Sequence, residues 1–496
     1  MIDNIIQALY LAATFENMLL MFFGMLGGVF IGAMPGLTGT MAVTLVLPFT
    51  FHMQPVPALL LLVAIYKGAM YGGSISAILI KTPGTGAAAC TVMDGFPLAQ
   101  QGKAGKALFT ALYASCIADL ISNLSLIFCA GLIASFALRF GPPEFFQLIV
   151  FSLTIVASLS GDNLFKGLIA GCFGLLLSTV GLDMIYGTTR YTFGNVNLMS
   201  GVSFIPLIIG LFAIPEIIKA CTGKPQKQEQ VISVGGDKLS MAEFKRCFKT
   251  IIRGSFIGVI LGAIPGIGGA PAAYMSYNEA KRSSPFKNNF GKGEIEGVAA
   301  AEAGNNGCAG ATLIPLLSLG VPGDVVTAVI LGAFMMHNLT PGPLLFQENI
   351  ILVYAVYIGI MVSSFFMFLT GLGCIKTFAK VANIPKTILF PSILIVCCFG
   401  AFSINNSMFD VTIMGILGLI GYILYLLKFP EAPLLVAFVL GPLFEDNLQR
   451  SLLISHGSLS IFFSSAICWI FFILALLSLT YTIYMSYRQK NLPQEE

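Results

Sequence analysis

The chain has 496 residues, of which 56% are apolar and only 10% charged, whereas soluble domains carry roughly 45–50% apolar and about 25% charged residues. So little charge cannot coat a water-facing surface of this size, which excludes an ordinary soluble enzyme, a secreted disulfide scaffold and a disordered chain. The net charge of +3 gives no case for nucleic acid. The expected fold is an all-α polytopic membrane protein, because the apolar runs are long and continuous rather than the ~10-residue alternations of a membrane β-barrel.

The start of the chain, Met1-Ile2-Asp3-Asn4, lacks the basic opening of a signal peptide, so the first hydrophobic stretch is expected to be retained. Apolar stretches follow near 17–34, 37–51, 56–80, 104–138, 144–160, 164–182 and 201–221, and then near 254–275, 298–319, 324–346, 350–375, 386–402, 408–428, 432–444 and 458–487. A spanning helix needs ~20 residues, and several of these runs are too short or too broken; about eleven or twelve crossings with half-helices or re-entrant hairpins are expected. The eleven Cys are scattered among apolar residues and the three His are far apart, so neither forms a metal-ligand spacing.

Eighteen of the 49 charged residues fall in two segments, 223–253 and 279–302. The first carries seven Lys/Arg against three acids, which the positive-inside rule places in the cytoplasm. The segment before residue 17 has Asp3 and Glu16 and no Lys/Arg, and is expected outside, implying an odd number of crossings in the first half. The organisation read from this is an N-terminal transmembrane repeat (1–222), a basic cytoplasmic linker (223–253), a C-terminal transmembrane repeat (254–487) and a polar tail (488–496).

The two halves are related. Residues 24–40 (GMLGGVFIGAMPGLTGT) and 254–270 (GSFIGVILGAIPGIGGA) share eight identities at an offset of 230, with glycine at every fourth position. Small residues at that spacing let helices approach closely. The Pro-Gly that ends each series breaks the helix, and such a break inside an apolar run is tolerated only in buried or cavity-lining positions. Weaker echoes (81–85 with 320–324, 165–174 with 409–418) keep the same order. Paired halves with matched broken helices point to a secondary transporter with its site between the repeats, inverted if each half has an odd number of crossings.

A half-helix that starts after such a break offers free N–H groups to an anion. The candidate anion-binding residues are therefore Pro35, Gly36, Thr38 and Gly39; Pro83, Gly84 and Thr85; and Pro265, Gly266, Gly268 and Gly269, with Thr40 as a further hydroxyl donor. Ionisable groups in apolar runs are costly and are functional candidates by default. Lys67 could contact an anionic substrate or snorkel; Asp119 could pair with a lysine or carry a proton; Lys166 is expected at the interface. The stretch Glu302-Ala303-Gly304-Asn305-Asn306-Gly307 reads as turn material. Glu302, Asn305 and Asn306, together with Pro322, Gly323 and Asp324, supply the hard oxygen ligands a Na⁺ would need, and form the candidate coupling-ion set; a plain cytoplasmic turn is the alternative.

GVFIGAMPGLTGT (28–40), its copy GVILGAIPGIGGA (258–270), the run 71–108 and above all EGVAAAEAGNNGCAGATLIPLLSLGVPGD (296–324) resemble the large membrane subunit of tripartite tricarboxylate transporters, over nearly the whole chain. One departure is Gly268, which stands where the first copy has Thr38. The resemblance implies a non-enzymatic, multi-pass subunit of a bacterial inner membrane. It also implies two partners, a small membrane subunit of about four helices and an extracytoplasmic solute-binding protein that delivers a citrate-like carboxylate. Import would be secondary, driven by Na⁺ or H⁺ with no cofactor, in keeping with the absence of a Walker A sequence. A channel and an intramembrane enzyme are the alternatives; Gly320-Val321-Pro322-Gly323-Asp324 lacks the spacing of membrane aspartyl proteases.

Overall fold

The computed structural model describes residues 2–34, 36–159, 163–183, 185–222, 232, 234–235, 237–381 and 386–490. Pro35 and most of 223–236 thus lie outside the described residues. The first half contains α1 (Ile2–Ala12), α2 (Phe15–Gly32), α3 (Gly39–Thr50), α4 (Pro55–Ile80), α5 (Ala88–Leu98), α6 (Ala104–Ala137), α7 (Pro142–Leu159), α8 (Leu164–Ser178), α9 (Phe204–Ile208) and α10 (Ile214–Thr222). The second contains α11 (Met241–Gly262), α12 (Gly269–Ser283), α13 (Ile295–Ala309), α14 (Leu313–Leu319), α15 (Val325–Met336), α16 (Leu345–Glu348), α17 (Ile350–Val381), α18 (Lys386–Asn405), α19 (Met408–Leu426), α20 (Glu431–Ile454) and α21 (Ala466–Lys490). Among the described residues, eight helical stretches are long and apolar enough to cross a membrane, and four shorter apolar helices lie at 39–50, 142–158, 164–178 and 325–336. The chain is an all-α polytopic membrane protein.

Local sequence explains the boundaries. Thr14 caps α2 through the N–H of Asn17, and Ser240 and Glu243 form a reciprocal capping box at the start of α11. Pro55 opens α4, where its missing N–H costs nothing. α2 and α11 stop at Gly32 and Gly262, and α3 and α12 restart at Gly39 and Gly269. Both pairs differ by the repeat offset of 230. Within the breaks Gly36 and Gly266 take φ +88° and +83°, a left-handed conformation that suits glycine.

Two compact units form, each drawing on both halves of the sequence: Met1–Ala134 with Glu216–Ile404, and Ser135–Pro215 with Asn405–Glu496. In the first, α2 and α4 pack backbone to backbone. A Cβ added at Gly28, Gly32, Gly68 or Gly72 would come within 2.3–2.5 Å of a carbonyl oxygen on the opposing helix. α11 packs on α13 in the same way: a Cβ at Gly258 would lie 2.6 Å from Gly304 O, and one at Gly307 would lie 2.8 Å from Ser255 O. Segment 302–307 is therefore not a turn. It is the buried interior of α13. Its glycines are the small residues of a helix seam, and their packing overrides the weak helix propensity of Gly and Asn. Ahead of α13, Asp94 of α5 accepts the N–H groups of Gly291, Gly293 and Glu294 and the hydroxyl of Tyr277 at 2.7–2.9 Å, tying down the loop that enters the helix.

In the second unit, α20 packs on α7 and α8, and α21 packs on α7. A short hairpin pairs Gly181–Leu182 with Thr189–Arg190. There the N–H groups of Tyr186 and Ile185 hold the Asp183 carboxyl below the usual range, while Arg190 pairs with Asp183 and Glu445. Lys166 is half-buried in the same unit and donates to the carbonyl of Leu427 at 2.5 Å.

Candidate transport site

The broken segments of the two repeats meet within the first unit. The N–H of Gly266 donates to the carbonyl of Gly323 at 2.9 Å, joining the two Pro-Gly breaks of the second repeat. In the first repeat, the N–H of Gly84 donates to Gly73 O at 3.3 Å, and a Cβ on Gly84 would sit 2.0 Å from the carbonyl at the end of α2, that of Gly32. Cβ positions built at Gly86 and Gly269 lie 3.8 Å from Ala270 and 3.5 Å from Ala87, respectively, so the first-repeat loop abuts the start of α12. The short helices dock reciprocally: α3 packs on α15 and α5 on α12. Under the repeat correspondence α3 matches α12 and α15 matches α5, so the two contacts are one contact made twice.

Four helix N-termini follow the breaks, and they are capped differently. Thr38 Oγ1 accepts the N–H of Met41 at 3.2 Å at the start of α3. Thr85 Oγ1 accepts that of Ala88 at 3.2 Å at the start of α5. Asp324 caps α15, its Oδ1 accepting the N–H and hydroxyl of Thr327 at 2.7 and 2.8 Å and its Oδ2 the hydroxyl of Tyr66 at 2.9 Å. Tyr66 is also 3.2 Å from the hydroxyl of Thr312. The N-cap of α12 is Gly268, which has no side chain to offer.

Glu302 is fully buried in α13. Its Oε1 accepts from Ser74 at 2.6 Å and from Thr91, and its Oε2 accepts from Ser115 at 3.0 Å and from Asn306 at 3.2 Å. Four helices thus supply neutral donors to one carboxylate, and among the described residues it has no ion-pair partner. Asn306 spends its amide N–H groups on Ser115, on the Glu302 side chain and on the Glu302 carbonyl. Its neighbour Asn305 is equally buried, yet both its amide atoms lack a partner.

Lys67 is engaged elsewhere. Its Nζ lies 2.8 Å from Asp119 Oδ2 and donates to Ile360 O at 2.7 Å and to Ser364 at 3.1 Å. Ser364 and Asn123 donate to the same Asp119 oxygen at 2.6 and 3.3 Å. The structure thus brings together the residues of 266–269, 305 and 322–324, gathers those of 84–86 against α12, and sets Lys67 in an ion pair that joins α4, α6 and α17. Sequence reasoning missed Tyr66, Ser74, Thr91 and Ser115, whose only signal was a hydroxyl in an apolar helix, and Thr312 in the turn that follows α13. Among the described residues no cluster of three or more His, Cys, Asp or Glu is placed to hold a metal ion.

Comparison with known proteins places the chain in a family. The sequence pattern of the tripartite tricarboxylate transporter TctA family matches residues 18–436. The "uncharacterized 52.8 kDa protein in TAR-I ttuC' 3'region" of Agrobacterium vitis is 37% identical over 467 residues, 94% of this chain and 93% of that one. The "uncharacterized protein in TAR-II ttuC' 3'region" of the same organism is 37% identical over 210 residues, 42% of this chain and 87% of that one. No solved structure matches the chain at a significant level. The family points to a transporter rather than an enzyme, and to a system of several subunits. The chain is a multi-pass membrane protein belonging to the tripartite tricarboxylate transporter TctA family.

Proposed function

We propose that the chain is the large, substrate-translocating subunit of a secondary importer of small carboxylates, working with a small membrane subunit of about four helices and an extracytoplasmic solute-binding protein in a bacterial inner membrane. The observation that carries this reading is the convergence of broken helices from both repeats, where α3 packs on α15 and α5 on α12. Exposed helix N-termini bind a carboxylate through N–H groups and the helix dipole without needing buried arginines. Glu302, in its ring of Ser74, Thr91, Ser115 and Asn306, is the group that takes the coupling proton or Na⁺: hydroxyl and amide oxygens plus one carboxylate are hard ligands, and the same carboxylate can be protonated.

The test is uptake by proteoliposomes holding the complete three-component system with a loaded binding protein. Concentrative uptake that appears with an imposed Na⁺ or pH gradient and collapses with an ionophore is expected. Uptake that never exceeds equilibration, with or without a gradient, refutes secondary transport; single-channel currents would put a channel in its place.

A further inference from the structure

The four helix termini at the breaks are not equivalent, and their differences select one of them. Those of α3 and α15 are capped by Thr38 and Asp324, and at α5 the hydroxyl of Thr85, just ahead of the helix, accepts the N–H of Ala88. The α15 terminus already holds a carboxylate. The α12 terminus, in a helix of fifteen residues, begins Gly268-Gly269-Ala270-Pro271 and has no side-chain cap, so its leading N–H groups are left for something else.

A second, independent feature points at the same place. Asn305 is 0% exposed, and neither its Oδ1 nor its Nδ2 has a partner. A buried amide without a partner is costly and calls for a ligand or water. This one is aimed at the bare terminus, since a Cβ built on Gly269 would lie 2.9 Å from Asn305 Oδ1. Because both amide atoms are free, turning the amide over to present Nδ2 breaks no hydrogen bond. Asn306 next to it is fully committed to Glu302 and Ser115.

We infer that one carboxylate of the transported anion docks at the N-terminus of α12 and is held there by the Asn305 amide. This rests on the carboxylate-importer reading above, and it assigns Asn305 to the substrate, not to the coupling ion. Asp324 stands beside the same spot, its Cβ 3.3 Å from where a Cβ on Gly268 would be. A second negative charge there is tolerable only with a compensating cation or proton, which gives anion binding a built-in reason to depend on the coupling ion.

The experiment is uptake kinetics in the reconstituted three-component system, using a panel of labelled di- and tricarboxylates, for wild type, Asn305→Ala, Asn305→Asp and Gly269→Ala. Gly415→Ala serves as a control, since a methyl there meets nothing within 4 Å. Losing one hydrogen bond to a charged group raises KM about tenfold or more. Asn305→Ala and Gly269→Ala are expected to do this at normal membrane levels. Asn305→Asp, which is isosteric but repels an anion, is expected to abolish uptake. If Asn305→Asp keeps the wild-type KM for the anion, or lowers the half-saturating cation concentration, the assignment is overturned, the latter result making Asn305 a cation ligand. If the wild type takes up no member of the panel under any gradient, the importer reading itself fails.

Discussion

The Lys67–Asp119 pair makes a quantitative prediction about stability. Both side chains are almost completely buried, at 2% and 1% exposure, and the charged atoms are 2.8 Å apart. With an effective dielectric of about 20, their attraction is about 6 kcal/mol, and removing one partner from such a pair costs about 3–5 kcal/mol because the other charge stays buried. In Lys67→Met, Asp119 keeps the donors Ser364 and Asn123 but loses its counter-ion. Its Oδ1 already lacks a partner and cannot compensate. Replacing both residues with apolar ones of similar size removes the problem, so Lys67→Met/Asp119→Leu is expected to be more stable than either single variant. Thermal unfolding in detergent, followed by a thiol-reactive dye that reports exposure of the buried Cys90, Cys247 and Cys308, should show each single variant melting on the order of 5 °C or more below wild type. The double variant should recover most of that loss. Single variants that melt with the wild type, or a double variant whose loss equals the sum of the singles, would refute the reasoning.

Gly72→Ala drives a methyl to within 2.4 Å of Val29 O in the α2–α4 seam and should cost about 1–3 kcal/mol by overpacking; melting in the same assay checks it, and an unchanged midpoint counts against backbone contact there. Gly266→Ala forces an alanine to φ +83°, and uptake should be lost while membrane insertion stays normal; wild-type uptake would leave the broken-helix site without support. Glu302→Gln keeps the shape of the side chain and removes its charge, so residual uptake should no longer respond to the Na⁺ or pH gradient; an unaltered gradient response takes Glu302 out of the coupling site. Glu243, at the polar start of α11, is partly buried, which raises its pKa, but hydrogen bonds from Lys106 and Ser240 outweigh this and hold it down to about 2. A depressed carboxyl stabilises above its unfolded value of roughly 4.3 and loses that contribution as the pH falls towards the folded value. The melting difference between wild type and Glu243→Gln should therefore be full at pH 6–8 and shrink on acidification below about pH 4.5; a difference independent of pH would show that the pair contributes nothing.

Much of this architecture was legible in the sequence. Glycines at 24, 28 and 32 and at 254, 258 and 262 marked the seams, and the Pro-Gly pairs marked where α2 and α11 end. The Glu302–Gly307 stretch misled, because Asn and Gly favour turns only when nothing packs against them. Here Gly304 and Gly307 are the points where α12 and α11 touch α13, and the same glycines serve a turn or a seam depending on a partner that lies far away in the chain. Lys67 was visible as an anomaly, but its engagement with Asp119 and Ser364 depends on how α4, α6 and α17 meet, which no local pattern encodes. The hydroxyls around Glu302 were invisible for the same reason: Ser74, Thr91 and Ser115 are common in apolar helices, and only their convergence on one carboxylate distinguishes them.

One substitution between the repeats carries a wider consequence. A perfectly duplicated frame would offer equivalent seats on its two sides, and an anion could occupy either or both. Thr38 seals the seat at α3 with its own hydroxyl, whereas Gly268 leaves the corresponding seat at α12 vacant. If the anion docks at α12 as inferred above, the duplication supplies the scaffold and the missing side chain at Gly268 breaks its degeneracy, so that one anion per chain, with a defined head and tail, is expected.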